Sequence, residues 1–153
     1  MNEITREDGT YVFGQLFPGD YYLHSQLKEY EFTPSTQSIT IPEGSAITVT
    51  IECKRIAWSV YGSIHTITGQ PLAKQRVIAI SSTGHKESSV SDKNGEYRIR
   101  GLHDNMDYTI SLMNNDHCLP KQYTVMMKQE DCMKKDFVIL HEAASTVTEL
   151  YSL

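Results

Sequence analysis

The chain has little of what most catalytic or targeting readings need. It holds three cysteines, Cys53, Cys118 and Cys132, an odd number whose spacing matches no metal knuckle. Cys118 and Cys132 could bridge if their strands are neighbours, but a buried free thiol is the commoner fate of such residues. No Asn-x-Ser/Thr glycosylation acceptor occurs. No apolar run approaches the roughly 18 residues of a membrane span, and Met1 to Glu7 has no apolar stretch of the kind a signal peptide carries. The product is therefore either cytosolic or a piece of a longer secretory chain. Basic residues are no more abundant than acidic ones. A net charge of −5 lacks the Lys and Arg excess of a nucleic-acid footprint, so no nucleic-acid partner is expected.

What remains is enough for a core: 153 residues, 39% hydrophobic and 22% charged, sufficient for one ordinary domain or two small ones. The most informative feature is an internal echo. Asp8-Gly9-Thr10-Tyr11-Val12-Phe13-Gly14-Gln15-Leu16 returns 86 residues later as Asn94-Gly95-Glu96-Tyr97-Arg98-Ile99-Arg100-Gly101-Leu102. An Asp-Tyr step follows each copy, at Asp20-Tyr21 and at Asp107-Tyr108. Repetition at this distance points to tandem small domains.

Apolar residues alternate, and almost no segment has helical period. In the first part the alternating sets are Tyr11 and Phe13, Tyr21 and Leu23, Ile39 and Ile41, and Ile47, Val49 and Ile51. Turns are expected at Phe17-Pro18-Gly19-Asp20 and Pro42-Glu43-Gly44. A second set begins at Trp58, with Val60, Gly62 and Ile64 at the same parity. Val77 and Ala79 follow, then the polar Ser88 to Ser91, which reads as an edge strand. Tyr97 and Ile99, Tyr108 to Leu112, Tyr123 to Met127, and Phe137 to Leu140 complete it. Lys93-Asn94-Gly95 reads as a hairpin signal suited to a primed turn. About seven short strands in roughly 85 residues have the spacing of a β-sandwich.

The predicted fold class is all-β: residues 57–141 form a complete sandwich, residues 1–56 the C-terminal half of another, and residues 142–153 a tail. A half sandwich exposes inner-face residues and unpaired strand edges. Tyr11, Phe13, Tyr21, Leu23, Ile47 and Val49 are expected to lose much of their cover.

Few constellations carry chemistry. Six histidines (His24, His65, His85, His103, His117, His141) show no zinc-binding spacing. His103 and His117 stand beside Asp104 and Asp116, where a metal or acid–base role competes with plain solvated loop histidine. Ser81 and Ser82 precede Gly84-His85, but the Gly-x-Ser-x-Gly elbow is absent. Asp92 and Asn94 resemble the start of a calcium loop, without the later bidentate glutamate, and Asn94-Gly95 is fully explained as a turn. Tyr11, Tyr21, Tyr97 and Tyr108 have inner-face parity. Tyr22, Tyr30 and Trp58 are the candidates for an interaction surface. No catalytic residue and no cofactor are assigned.

The Asp/Asn-Gly-x-Tyr turn, the following Gly and Leu, and Gly19-Asp20-Tyr21-Tyr22-Leu23 resemble the carboxypeptidase-regulatory-like, or transthyretin-like (prealbumin-like), sandwich family. Leu27-Lys28-Glu29-Tyr30-Glu31-Phe32-Thr33-Pro34-Ser35, with Pro42-Glu43-Gly44, Tyr61-Gly62-Ser63 and Gly69-Gln70-Pro71, is similar more narrowly to the lumenal repeats of the nodal modulator family. The resemblance covers about residues 5 to 140.

It implies tandem seven-stranded prealbumin-like or Ig-like modules, here with the first truncated. It also implies a fragment or short isoform of a large single-pass endoplasmic-reticulum protein without the signal peptide, most repeats or the membrane anchor. Such a protein works with nicalin and a small multipass protein at the translocon, assisting multipass membrane-protein biogenesis without catalysis. The rival reading is a carbohydrate-binding module, because related sandwiches bind starch and glycans. A regulatory domain cut from a metallocarboxypeptidase would need a zinc catalytic domain upstream.

Overall fold

The computed structural model describes residues 1–140; His141 and the expected tail at 142–153 lie outside the described residues. Among the described residues every regular element is a strand. In chain order these are β1 (Gly19–His24), β2 (Tyr30–Thr33), β3 (Thr36–Ile41), β4 (Glu52–Arg55), β5 (Ala57–Thr66) and β6 (Arg76–Ser81). There follow β7 (Lys86–Val90), β8 (Glu96–His103), β9 (Asp107–Leu112), β10 (Cys118–Leu119), β11 (Gln122–Met126) and β12 (Phe137–Ile139). The fold is all-β.

The chain divides into two compact units. One comprises Met1–Gln26 and Phe32–Glu52; the other comprises Leu27–Glu31 and the chain from Cys53 onward.

The second unit is a sandwich of two four-stranded sheets, ordered β10-β12-β5-β8 and β11-β9-β6-β7. That is one strand more than the sequence count, the addition being the two-residue β10. Alternation explains the packing. Val60 and Ile64 of β5, Val77 and Ala79 of β6, Ile99 of β8, Tyr108 and Ile110 of β9, and Phe137 of β12 are fully buried between the sheets. Ile78, on the opposite face of β6, is also buried, whereas Ile80 beyond it is exposed, so that strand is covered on both sides only in part. β7 is an edge strand, and its alternate residues face solvent.

The turn at Asp92–Glu96 differs from the expected hairpin. Gly95 donates its N–H to the carbonyl of Asp92 at 3.0 Å. Only Gly95 in this turn has positive φ, +76°, whereas a type I′ turn would require it of both central residues. The turn joins β7 of one sheet to β8 of the other, so it need not match the twist of a paired ribbon. A side chain at Gly95 would collide with the carbonyl oxygen of Ile64.

The first unit contains the antiparallel pair β1–β3, with Tyr21 opposite Ile39 and Leu23 opposite Gln37. β2 and β4 form a two-stranded ribbon. Two expected strands are absent from the described structure: residues 10–17 and 46–51 are irregular. The second unit supplies the reason. There, β8 pairs only with β5, and β12 lies between β5 and the two-residue β10. At the 86-residue offset β8 corresponds to residues 10–17, and among the described residues no strand stands beside that segment as β5 stands beside β8, so its backbone groups join no ladder. Of the inner-face residues expected to lose much of their cover, Tyr11, Phe13 and Ile47 are exposed, and Tyr21, Leu23 and Val49 are half-buried.

Candidate functional site

One polar cleft belongs wholly to the second unit. It is a cleft of about 160 Å³ lined by Leu27, Glu29, Tyr30, Arg55, Arg98, Arg100 and Asp131. A tight turn closed by the Tyr30 N–H on the carbonyl of Leu27 presents Glu29. The Glu29 carbonyl accepts the N–H groups of Ile56 at 2.8 Å and Ala57 at 3.3 Å, which pins the turn to the start of β5. The side chain is thereby driven inward, and Glu29 is only 3% exposed.

Two arginines of β8 face it. Arg98 and Arg100 alternate with the core residues Tyr97 and Ile99, so both project from the outer face of the strand. Glu29 Oε1 lies 3.4 Å from Arg100 Nε and 3.8 Å from Arg98 Nη2. These are ion-pair separations without hydrogen-bond geometry, and Oε1 is a buried acceptor with no hydrogen-bond donor. Arg98 is fixed elsewhere: its Nε donates to Ser59 Oγ at 3.0 Å, and its guanidinium lies 5.1 Å from the centre of the Tyr61 ring.

Asp131 closes the opposite side. Its Oδ1 accepts from Arg55 Nη2 at 2.6 Å and from the Ser59 N–H at 2.8 Å. Arg55 also donates through Nε to the Ala57 carbonyl and lies 5.7 Å from the Trp58 ring centre. Three guanidinium groups and two carboxylates therefore leave one net positive charge. The site can present the forked donors of its arginines to an acceptor and the carboxylate of the partly exposed Asp131 to a donor.

A second cluster lies at the β6–β9 end. The rings of His85 and His103 stack at 4.2 Å, and His85 Nδ1 is 2.7 Å from the Tyr108 hydroxyl. That hydroxyl accepts the His103 N–H at 3.0 Å. Glu87 is 3.5 Å from His85 Nε2 and forms an ion pair with Lys28. Burial pushes the Tyr108 phenol above its usual value; the His103 hydrogen bond opposes this and the Glu87 charge adds to it.

Of the residues proposed for an interaction surface, Tyr22 is 82% exposed and belongs to the first unit. Tyr30 is half-buried at the cleft. Trp58 is corrected: it is 8% exposed and packs in the core, because it shares inward parity with Val60 and Ile64 across a bulge.

The calcium candidates Asp92 and Asn94 serve the turn: Asp92 Oδ1 accepts the N–H groups of Asn94 at 2.8 Å and Glu96 at 3.0 Å. The Ser81 hydroxyl is engaged by Thr83 and by the His85 N–H. His117 and His103 stand apart in the architecture, one before β10 and the other ending β8. Among the described residues no group of three or more His, Cys, Asp or Glu is placed to hold a metal ion. Cys118 and Cys132 are free thiols: Cys118 Sγ approaches the carbonyls of Asn115 and Pro120, and Cys132 Sγ the sulfur of Met127.

The cleft residues escaped the sequence reading because Glu29, Arg55, Arg98, Arg100 and Asp131 have no common spacing. The one available signal was the pair of arginines at outward parity on a strand whose other face is core.

No family model matches the sequence. Curated relatives do. The chain is 30% identical over 152 residues to mouse "BOS complex subunit NOMO1" and to its human counterpart, covering 92% of this chain and 12% of each relative. It is 30% identical over 154 residues to "Nicotinic receptor-associated protein 4" of Caenorhabditis elegans, covering 95% of this chain and 14% of that one. Among solved structures, the Bacillus anthracis TIE protein overlaps with a TM-score of 0.43 at 12% identity, over 89% of this chain and 27% of that one. The minor pilin GBS52 of Streptococcus agalactiae overlaps with 0.42 at 16% identity, over 89% and 66%. The chain spans about an eighth of the length of the curated mammalian relatives it matches, and over that stretch it is a homologue of the nodal modulators.

Proposed function

We propose that this chain is a non-catalytic structural and protein-interaction repeat of an endoplasmic-reticulum complex at the translocon. Its partners there would include nicalin, and the assembly would assist multipass membrane-protein biogenesis. The observation that carries this reading is the match, over 92% of the chain, to proteins named as BOS complex subunits. The chemistry of the cleft agrees with docking. Arg100 is half-exposed, and its guanidinium makes no hydrogen bond to another described residue. Arginine at a partly buried, carboxylate-backed position is a common anchor of protein interfaces. No helix of the described residues is long and apolar enough to cross a membrane.

The test is immunoprecipitation of the epitope-tagged chain from detergent-solubilised microsomes, probed for nicalin. Recovery of nicalin, weakened by Arg100→Glu, is expected. Absence of nicalin from a chain that is present and folded in the microsomes would overturn the reading.

Carbohydrate binding is the second reading. Tyr30 in one cleft with the forked donors of Arg100 and the acceptor of Asp131 favours it, because sugars stack on aromatic rings and both donate and accept hydrogen bonds. A glycan array separates the two. A reproducible hit abolished by Tyr30→Ala would favour the sugar.

A further inference from the structure

The three arginines of the cleft are engaged to very different degrees. Arg55 is committed: Nη2 donates to Asp131, Nε to the Ala57 carbonyl, and the guanidinium lies over the Trp58 ring. Arg98 is partly committed, through Nε to Ser59 Oγ and through its position over the Tyr61 ring. Arg100 is scarcely used. Its Nε lies 3.4 Å from Glu29 Oε1, its two Nη groups donate to no described residue, and the side chain is 49% exposed.

Glu29 does not fill that fork. A single oxygen, Oε1, approaches both Arg98 and Arg100, at ion-pair rather than hydrogen-bond separations. The turn that carries Glu29 is pinned to the start of β5 by two N–H groups on its carbonyl. Glu29 therefore backs Arg100 on the Nε side and leaves the Nη groups to a second acceptor. A planar pair of N–H donors matches the two oxygens of a carboxylate.

Charge and size narrow the ligand. Three guanidinium groups less two carboxylates leave one positive charge, which one monoanion neutralises. A phosphate dianion would overshoot by one charge beside Glu29 and Asp131, and a neutral sugar would leave the charge unanswered. The cleft of about 160 Å³ lies below the roughly 300–1,000 Å³ of drug-sized pockets, so it suits one small group. Leu27 and Tyr30 offer apolar surface to whatever carries the anion.

We propose that the cleft is a carboxylate-binding site. The Nη groups of Arg100 clamp the two oxygens, and Arg98 adds its charge beside them. The carboxylate belongs either to an acidic side chain of a peptide or to a small organic acid. The site deepens the docking reading given above and rests on it only where the source is a peptide.

The full chain, isotope-labelled in its arginine nitrogens, tests this through the Nε–H resonances near neutral pH. The probes are sodium acetate and the blocked peptide acetyl-Gly-Glu-Gly-amide, each compared with sodium chloride at equal ionic strength. Both should shift Arg100 and Arg98 saturably, whereas acetyl-Gly-Gln-Gly-amide should not. A peptide tighter than acetate assigns the carboxylate to a side chain, and one no tighter assigns it to a free acid. Arg100→Gln, read at Arg98, should weaken binding by about tenfold or more. Arg100→Lys keeps the charge but loses the fork and should weaken it by about threefold or more. Glu29→Gln removes a competing anion and should instead tighten binding by about threefold or more, a change of sign that a merely structural role would not produce. The proposal is overturned if the shifts never saturate or chloride reproduces them, or if phosphate binds more tightly than acetate. It is also overturned if Arg100→Gln leaves the affinity unchanged or Glu29→Gln weakens it. Nicalin takes no part in these titrations, so its absence from the immunoprecipitate with carboxylate binding intact would sink only the docking reading.

Discussion

Tyr21 stands opposite Ile39 in the first unit in the same register in which Tyr108 stands opposite Val125 in the second. The two settings differ in what lies over them. Tyr108 is wholly enclosed, whereas Tyr21 and Ile39 are half-buried. Hydrophobic stabilisation follows the area removed from water, so the same strand pair contributes very differently to the two units.

Equivalent truncations should therefore have unequal effects. Ile110→Ala is expected to cost about 2–5 kcal/mol, the range for emptying a packed core site. Its counterpart Leu23→Ala should cost less than about 1 kcal/mol, as at partly exposed sites. Trp58 is the sole tryptophan and lies in the core of the second unit. Urea unfolding followed by its fluorescence should shift markedly for Ile110→Ala and scarcely for Leu23→Ala.

Glu29 should matter more than an ordinary turn residue. Its carboxylate is buried between Arg98 and Arg100, and its replacement leaves both guanidinium groups without their nearest anion. Breaking a fully buried pair costs about 3–5 kcal/mol, but both arginines are partly exposed, so about 1–2 kcal/mol is expected for Glu29→Gln. Thermal melts of the variant and the parent, compared at low and high salt, check both the loss and its electrostatic origin.

Alkaline pH should unfold the second unit. Burial, with the nearby Tyr123 and Asp136 adding to it, holds the Tyr97 phenol well above its ordinary value of 10.0. Its hydroxyl donates to the Lys135 carbonyl at 2.5 Å, a bond that the phenolate would lose. A folded-state value above the unfolded one contributes stability that is fully present below pH 10 and is lost as pH rises toward the folded value. Tyr108 adds to the same trend. Ultraviolet titration should show Tyr97 and Tyr108 ionising only together with unfolding. Tyr97→Phe should flatten the alkaline loss of stability.

The three thiols should separate by reactivity. Cys53 is exposed, whereas Cys118 is buried and Cys132 half-buried. Burial raises both of the latter thiols, and for Cys118 the Asp116 charge adds to the effect while Lys121 opposes it. Near neutral pH, a thiol reagent should modify one cysteine quickly in the native protein and all three in denaturant. Three fast thiols in the native state would contradict the packing around Cys118.

Much of the fold was legible in advance because strand periodicity is local. Alternation at Val77 and Ala79, at Tyr108, Ile110 and Leu112, and at Phe137 and Ile139 marked inward faces that the sandwich indeed buries. The cleft was not legible, because its charges come from a turn, from the last residue of β4, from the middle of β8 and from the loop before β12, and only packing brings them together. Trp58 misled for a related reason: aromatic size suggests a binding surface, but strand parity decided its side.

By itself, the sequence determined the β class, the repeat and the inward parity of the second unit, since these follow from side-chain alternation and turn chemistry. Only the tertiary structure decided which of those alternating segments become strands. Residues 10–17 and 46–51 carry the pattern but join no ladder among the described residues, and a strand exists only where a neighbour satisfies its backbone.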